Sequence, residues 1–362
     1  MLMSGFNIDP DISKAKTIST DFYTDPSYFA ASKDKIFARS WQFIGDEHRV
    51  QTPGSCYPLL LLPDYLSEPL LLTRNKGGRL NCVSNVCTHR GNLLITEPCT
   101  SASIRCKYHG RMFDLDGRII SMPEFKEVKN FPSIEDNLHQ LPLYQWGPLL
   151  FTSLDGEIAG NKFFNEMEHR LSWLPLHEFV FSAELTKTFQ VNAHWALYCE
   201  NYLEGFHIPF VHSGLNAVID YGSYTTELFA HSNLQLGIAK DEEDCFDLPP
   251  SSPDFGKRVA AYYFWVFPNL MFNFYPWGLS VNIVQPVAID HTEVIFLAYI
   301  WKKEKYNRGA GSELDKVELE DEAVVQNVQK GIRSRFYNHG RYSVTREQGT
   351  HHFHRLIAQF MN

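Results

Sequence analysis

The sequence predicts an α+β protein with an all-β domain over residues 42–150 and a mixed domain over 151–362. A helical segment over 1–41 is expected to pack on the second domain. Three observations predict this. Residues 42–150 alternate short β-rich runs with turn signals. Residues 260–302 hold strand-like runs rich in aromatic and β-branched residues. Residues 317–332 carry apolar positions at helical spacing. Strands followed by helices, rather than alternating with them, put the second domain in the α+β class. A chain of 362 residues is the right length for two domains.

The elements follow in order. Asp25-Pro26 reads as an N-cap and first helical residue, and Phe29, Ile36 and Phe37 then share one face, so a short helix to about Trp41 is expected. In the β domain the runs are Tyr57–Leu62, Pro69–Thr73, Ile104–Cys106 and Arg118–Ser121, separated by turns such as Lys76-Gly77-Gly78 and Asp116-Gly117. The second domain starts with a strand, Leu185–Val191, followed by a helical piece. Residues 237–257 are acidic and rich in proline and serine, and read as a surface loop. Residues 260–302 read as three strands. Val317, Ala323, Val324, Val328 and Ile332 mark an amphipathic helix, and Thr350–Met361 a last one.

Composition narrows the function. Apolar residues make up 44% and charged residues 21%, as in an ordinary globular protein. The net charge of −9 argues against a general nucleic-acid binder, which needs a basic face. The apolar run Leu59–Leu62 is cut by Pro63 and Asp64, far short of the ~18 residues a membrane span requires. The first twenty residues lack a basic start with an apolar core and carry Asp9 and Asp11, so a cytoplasmic location without targeting signal is expected. Seven scattered cysteines suggest reduced thiols, and any functional ones are expected to be metal ligands.

Four residues supply a first frame: Cys87-Thr88-His89 and, sixteen residues on, Cys106-Lys107-Tyr108-His109. Each pair brings one thiolate and one imidazole. Two cysteines and two histidines can hold tetrahedral zinc, but zinc spacings usually group the cysteines together and the histidines together. One of each per loop fits a [2Fe–2S] cluster with two histidines on one iron. Arg90-Gly91 and Gly110 flank the pairs as turn residues, and Cys82 and Cys99 are expected to be packing thiols.

A second frame lies in the run from Glu200 to His212, where His207 and His212 are five residues apart. In one straight helix their side chains would diverge by some 140°, and Pro209 is expected to break the helix so that His212 can swing back. Two histidines and a carboxylate on one face of Fe(II) leave positions open for O₂ and substrate. The best third ligand is Asp321, at the opening of the amphipathic helix, with Glu320 and Glu322 as alternatives. Glu204 could orient an imidazole or carry an electron path, and Asn201 could approach the iron without ligating it.

Together these motifs resemble the α subunits of Rieske non-haem iron oxygenases, from about Phe37 to Gln359. The resemblance implies a Rieske domain over 42–150 and a catalytic domain of helix-grip type over 151–362. It implies a [2Fe–2S] cluster on Cys87, His89, Cys106 and His109, and mononuclear Fe(II) on His207, His212 and Asp321. It further implies that Glu204 bridges to the cluster histidine, His109, of a neighbouring subunit in a head-to-tail homotrimer. Electrons would come from NAD(P)H through a flavin/iron–sulfur reductase or a ferredoxin, with O₂ and a small molecule as co-substrates. The stretches Cys199–Leu215 and Phe267–Met271 are similar to the branch acting on quaternary ammonium compounds such as choline. Arg111-Met112 departs from the tryptophan that many relatives carry after the second cluster loop, and could alter reductase docking or cluster solvation. His194-Trp195-Ala196 stands where relatives often have Asn-Trp-Lys.

The implied activity is hydroxylation or demethylation of a quaternary ammonium compound, with an aromatic-ring substrate as the alternative. Tyr262, Tyr263, Phe264, Trp265, Phe267, Phe272, Phe274, Tyr275 and Trp277 are candidate cage or wall residues, since aromatic faces attract a quaternary ammonium. Alternation puts Tyr263, Trp265 and Phe267 on one strand face. His351-His352-x-His354 looks metal-like but reads as part of a C-terminal helix that contributes to packing or supports the iron pocket from behind its ligands. Two rival classes are a Rieske electron carrier and a zinc-stabilised binding protein. A carrier leaves the roughly 210 residues after Thr152 unexplained.

Overall fold

The computed structural model describes residues 5–362. The chain forms two compact units, one from Ala38–Ile158 and one that joins the N-terminal residues up to Phe37 to Ala159–Asn362. Near the N-terminus lie α1 (Asp21–Thr24) and α2 (Pro26–Ser32), with Asp25 capping Ser27 N–H and Pro26 in the first turn. The helix expected to reach Trp41 ends at Ser32 and relaxes into one wide π-turn, Lys33–Phe37, which buries Ile36 and Phe37 together.

The first unit is all β. Its strands are β1 (Gln42–Asp46), β2 (Ser55–Leu61), β3 (Glu68–Arg74), β4 (Leu80–Ser84), β5 (Cys99–Thr100), β6 (Ile104–Arg105), β7 (Met112–Phe113), β8 (Ile119–Ser121), β9 (Gln140–Leu141), β10 (Leu143–Trp146) and β11 (Leu149–Thr152). They form sheets ordered β1-β11-β10, β5-β2-β3-β4-β9 and β6-β7-β8. Leu71, Val83, Leu94, Ile104, Phe113, Leu115 and Leu138 pack one core, which also takes in Cys56, Cys87 and Cys106. Cys82 is a buried packing thiol as expected. Cys99 is not: it is exposed on the edge strand β5, across from Cys56.

The second unit continues with α3 (Asn161–Arg170), β12 (Val180–Val191), α4 (Trp195–Tyr202), α5 (Ile208–Val211), α6 (Ser213–Val218), β13 (Thr225–Leu228), β14 (Ser232–Ile238), β15 (Val259–Val266), β16 (Leu270–Tyr275), β17 (Gly278–Ala288), β18 (His291–Ile300), α7 (Leu314–Gly331) and α8 (Gln348–Met361). One antiparallel sheet runs β12-β18-β17-β16-β15-β14-β13. Trp265 on β15 and Phe267 just beyond its end meet Phe353 and Phe360 of α8, so this face of the sheet is covered by helix.

Three sequence expectations are corrected here. Residues 260–302 form four strands, not three, because Pro276-Trp277 turns the chain between β16 and β17; at Gly278 a Cβ would sit 2.1 Å from Tyr299 O. The acidic segment 237–257 is not wholly at the surface: Phe246, Leu248 and Asp254 are buried, and the Asp254 carboxylate bonds Arg170 and Lys257. The amphipathic helix starts at Leu314 rather than near residue 317, so Asp321 lies in its third turn and not at its opening.

Candidate metal centres

In the β unit, the two Cys/His pairs sit on loops with the same hydrogen bonding. Cys87 N–H donates to Asn92 O and Gly91 N–H returns to Cys87 O; Cys106 N–H donates to Arg111 O and Gly110 N–H returns to Cys106 O. Gly91 (φ 71°) and Gly110 (φ 78°) take the left-handed conformation that closes each loop, one that L-residues with a Cβ adopt at a cost. Both cysteines are buried, while His89 and His109 are half-buried with ring centroids 4.8 Å apart at 80°.

The electrostatics of the two thiols differ. Burial pushes the Cys87 thiol up. Burial also opposes ionisation of Cys106, but the Tyr108 N–H, the Cys87 thiol, the His109 N–H and the Asn92 amide outweigh it and hold Cys106 below the usual thiol range. The Nδ1 of His109 is buried with no hydrogen-bond partner, a cost that a ligated metal would remove. Two thiols and two imidazoles on matched loops therefore fit a [2Fe–2S] group.

Arg111 is not a surface residue. It is 2% exposed, paired with Asp136 at 2.5 Å and set against the rings of Phe113 and Phe131. It braces the second loop from inside, which leaves it unavailable as a docking residue.

In the other unit, α4 ends at Tyr202 and the chain turns through Gly205, where a Cβ would lie 2.7 Å from the Tyr224 ring. Pro209 does not break the helix; it occupies the first turn of α5, where no intrahelical partner for its nitrogen is needed. His207 precedes that turn and His212 ends it, with ring centroids 5.0 Å apart at 80°. Both imidazoles converge on Asp321 of α7: Asp321 Oδ1 lies 3.0 Å from His212 Nε2 and 3.5 Å from His207 Nε2. Among the described residues this is the one trio of His, Cys, Asp or Glu side chains drawn together as a metal site would need, with ligand atoms within 4.8 Å of one another.

Each member is held from behind. The Nδ1 of His207 meets Glu204 Oε1 at 2.7 Å, and Glu204 Oε2 accepts from the backbone N–H groups of Phe206 and His207. The Nδ1 of His212 meets Glu320 Oε2 at 2.8 Å, and Asn201 Nδ2 donates to Asp321 Oδ1 at 2.5 Å. Such partners fix ring orientation and tautomer in metal sites. Burial would lower the His212 pKa, but its bonds to the Asp321 and Glu320 carboxylates raise it. The donor set fits a mononuclear iron, and Glu320 faces the opposite nitrogen of His212 from the trio. Glu322 points elsewhere in function: it belongs neither to the trio nor to the residues lining the cavity beside it.

A cavity of about 110 Å³ opens beside the trio. The sheet supplies it with a register-matched set: Gln235, Tyr263 and Asn273 lie opposite one another on β14, β15 and β16, and Asn282 lies opposite Phe296 on β17 and β18. Tyr275 completes that face, while Tyr198 and Tyr202 come from α4. Of the nine aromatic candidates over 262–277, Tyr263 and Tyr275 line the cavity. Phe272 and Phe274 pair with Phe264 and Tyr262 on the other sheet face. Burial pushes the hydroxyls of Tyr198, Tyr202, Tyr224, Tyr263 and Tyr275 up, so all five stay neutral. Tyr198 donates to Glu318 Oε2, and burial pushes the Glu318 carboxyl up to about 8.

The histidines near the C-terminus do not gather. His354 is enclosed by Tyr23, Tyr342 and Glu200, and His351 Nε2 meets Asp9 O at 2.8 Å. Sequence reading missed Tyr198, Tyr202, Tyr224, Gln235, Asn273, Asn282 and Glu318. The available signal was an asparagine in each of two mainly apolar strands, at Asn273 and Asn282.

Residues 40–132 match the Rieske [2Fe-2S] domain, and residues 177–362, just over half the chain, match the ring hydroxylating alpha subunit (catalytic domain). The chain belongs to the ring-hydroxylating alpha-subunit family. It is thus a Rieske non-haem iron oxygenase, whose family carries a [2Fe–2S] cluster and a mononuclear iron and draws on NADH through a reductase. This excludes the zinc-binding and electron-carrier readings. The chain is 27% identical to the chloroplastic choline monooxygenase of Arabidopsis thaliana over 375 residues, covering 98% of this chain and 85% of that one. It is 26% identical to the carnitine monooxygenase oxygenase subunit of Escherichia coli K12, covering 96% and 94%. Its fold matches the quaternary ammonium Rieske monooxygenase CntA with a TM-score of 0.77 at 23% identity, covering 98% and 97%. It matches naphthalene 1,2-dioxygenase from Rhodococcus sp. with a TM-score of 0.75 at 16% identity, covering 95% and 94%. Among the described residues no helix is long and apolar enough to cross a membrane.

Proposed function

We propose that this chain is the oxygenase component of a system that hydroxylates or demethylates a small quaternary ammonium compound. The observation that carries the reading is the cavity: a His207–His212–Asp321 trio opens onto walls that include five neutral tyrosines. A quaternary ammonium offers no hydrogen-bond donor and is held best by ring faces, each contributing about 0.5–2 kcal/mol. The kinship with choline and carnitine monooxygenases supports the same choice.

In this reading Cys87, His89, Cys106 and His109 hold the cluster, over a Rieske domain of residues 42–150. His207, His212 and Asp321 hold the mononuclear iron in a catalytic domain of residues 151–362, against which residues 1–41 pack. When bound, the two groups supply single-electron delivery and O₂ activation. The net change is R–H + O₂ + two electrons + two protons giving R–OH + water, and a hydroxylated N-methyl group then leaves as formaldehyde. Glu204 fixes the His207 ring, Asn201 fixes the Asp321 carboxylate, and the tyrosine walls position the C–H bond and keep bulk water out. The electrons come from NAD(P)H through a flavin/iron–sulfur reductase or a ferredoxin. The assembly is a head-to-tail homotrimer in which Glu204 approaches His109 of the partner subunit, with a cytoplasmic location.

The test is a single turnover. Anaerobic, iron-replete protein is reduced chemically, freed of reductant and mixed with O₂ and a panel of choline, betaines, carnitine and small aromatic acids. Mass spectrometry is expected to find an oxidised or demethylated ammonium compound. Oxidation of an aromatic acid alone would overturn the substrate class, and no product from any of them would overturn the reading as a whole.

A further inference from the structure

We infer that Glu318 is the counter-charge for the substrate and that the substrate is a monocation of the choline type, lacking the carboxylate of carnitine or a betaine. The inference rests on the quaternary-ammonium reading and narrows it. Among the described residues lining the cavity there are three carboxylates, Glu204, Glu318 and Asp321, and no lysine or arginine. Two of the three are engaged. Glu204 is taken up by His207 and the neighbouring backbone N–H groups, and Asp321 by both histidines and Asn201.

Glu318 is different. It is 3% exposed; its Oε2 accepts from Tyr198, but its Oε1 is buried with no partner. It stands three residues before Asp321 on α7, so the two side chains share one face of the helix. The molecule thus places a buried, half-satisfied carboxyl one turn from the candidate iron ligand, in a cavity whose lining includes five tyrosines. In the free cavity burial keeps this carboxyl largely protonated at neutral pH, and a cation is the partner that would ionise it, the proton passing to solvent; the nearby ring faces add to the hold on an onium group. A zwitterion would also bring a carboxylate into the same cavity, where no basic side chain could pair it, and an unpaired buried carboxylate is strongly disfavoured. The alcohol of a choline-type substrate has no such difficulty, because the amides of Asn273, Asn282 and Gln235 can bond it.

The test is equilibrium binding by calorimetry to the anaerobic holoenzyme, with choline, L-carnitine, glycine betaine and 3,3-dimethylbutan-1-ol, the neutral carbon isostere of choline. Choline is expected to bind at least about tenfold tighter than each of the others, and Glu318→Gln to weaken choline at least about tenfold while moving the isostere little. A zwitterion that binds as tightly as choline would overturn the inference and leave the quaternary-ammonium reading standing. An isostere that binds as tightly as choline would overturn that broader reading. Unchanged choline binding in iron-replete Glu318→Gln would overturn the role of Glu318; should that variant fail to hold iron, Tyr198→Phe and the wild-type panel decide.

Discussion

His194 offers a sharp test of how the catalytic unit holds its main site helix. It caps α4 through Nδ1, which accepts from Ala196 N–H at 3.3 Å, and α4 carries Tyr198, Asn201 and Tyr202 to the cavity. The ring is fully buried among Phe22, Tyr23 and Phe29, and that burial pushes its pKa down to about 3. When α4 opens, the ring returns to the ordinary value near 6.5. The open state therefore binds more protons between pH 6.5 and 3, so the stability of α4 is complete above pH 6.5 and is lost as the pH falls, by about 1.4 kcal/mol per pH unit. At pH 5 this is about 2 kcal/mol, or roughly a thirtyfold loss of amide protection. His194→Asn keeps a good N-cap without a titrating group. Hydrogen exchange at pH 7.5 and 5.0 should show α4 protection factors falling about thirtyfold more in the wild type than in the variant. An equal fall in both would refute the argument.

The other predictions concern parts around the site. Glu204→Gln removes the carboxylate behind His207 and should weaken retention of the mononuclear iron about 10–100-fold on dialysis against a chelator, with the cluster's visible spectrum unchanged. Gly349→Ala would put a Cβ 2.2 Å from Leu203 O, backbone that cannot yield, so α8 is forced off the end of α4 at a cost of about 3 kcal/mol, read as a lower melting temperature. Arg111→Met leaves Asp136 without its guanidinium; Asp136 keeps its bonds from Ser133 and is partly exposed, so a loss of about 2 kcal/mol is expected in melts followed at the cluster absorbance.

What was legible in the sequence was local. Each Cys/His pair lies within one short loop, so spacing alone reported it, and the flanking Gly91 and Gly110 signalled the turns. The two histidines were readable for the same reason, although the device that joins them was not. The chain turns at Gly205 before α5, and Pro209 serves inside the helix rather than breaking it. Asp321 was chosen for its chemistry, and the fold brings it to the histidines from more than a hundred residues away. The cavity was mostly hidden because strand register decides it: Gln235, Asn273 and Asn282 share one face across four strands that no local pattern aligns. The aromatic run misled in proportion. Most of its rings fill the sheet's packing faces, as large apolar side chains in central strands ordinarily do.

The central claim is that two iron centres reside on two separate residue sets in this chain. Iron and acid-labile sulfide should be counted per chain in the wild type, Asp321→Ala, His212→Ala, Cys106→Ser and His109→Ala, alongside the visible spectrum. A [2Fe–2S] group and one mononuclear iron predict three irons and two sulfides in the wild type. The Asp321 and His212 variants should lose one iron and keep the sulfide and the colour, and the Cys106 and His109 variants should lose the sulfide and the colour. Full iron in Asp321→Ala, or an intact cluster in Cys106→Ser, would contradict the assignment.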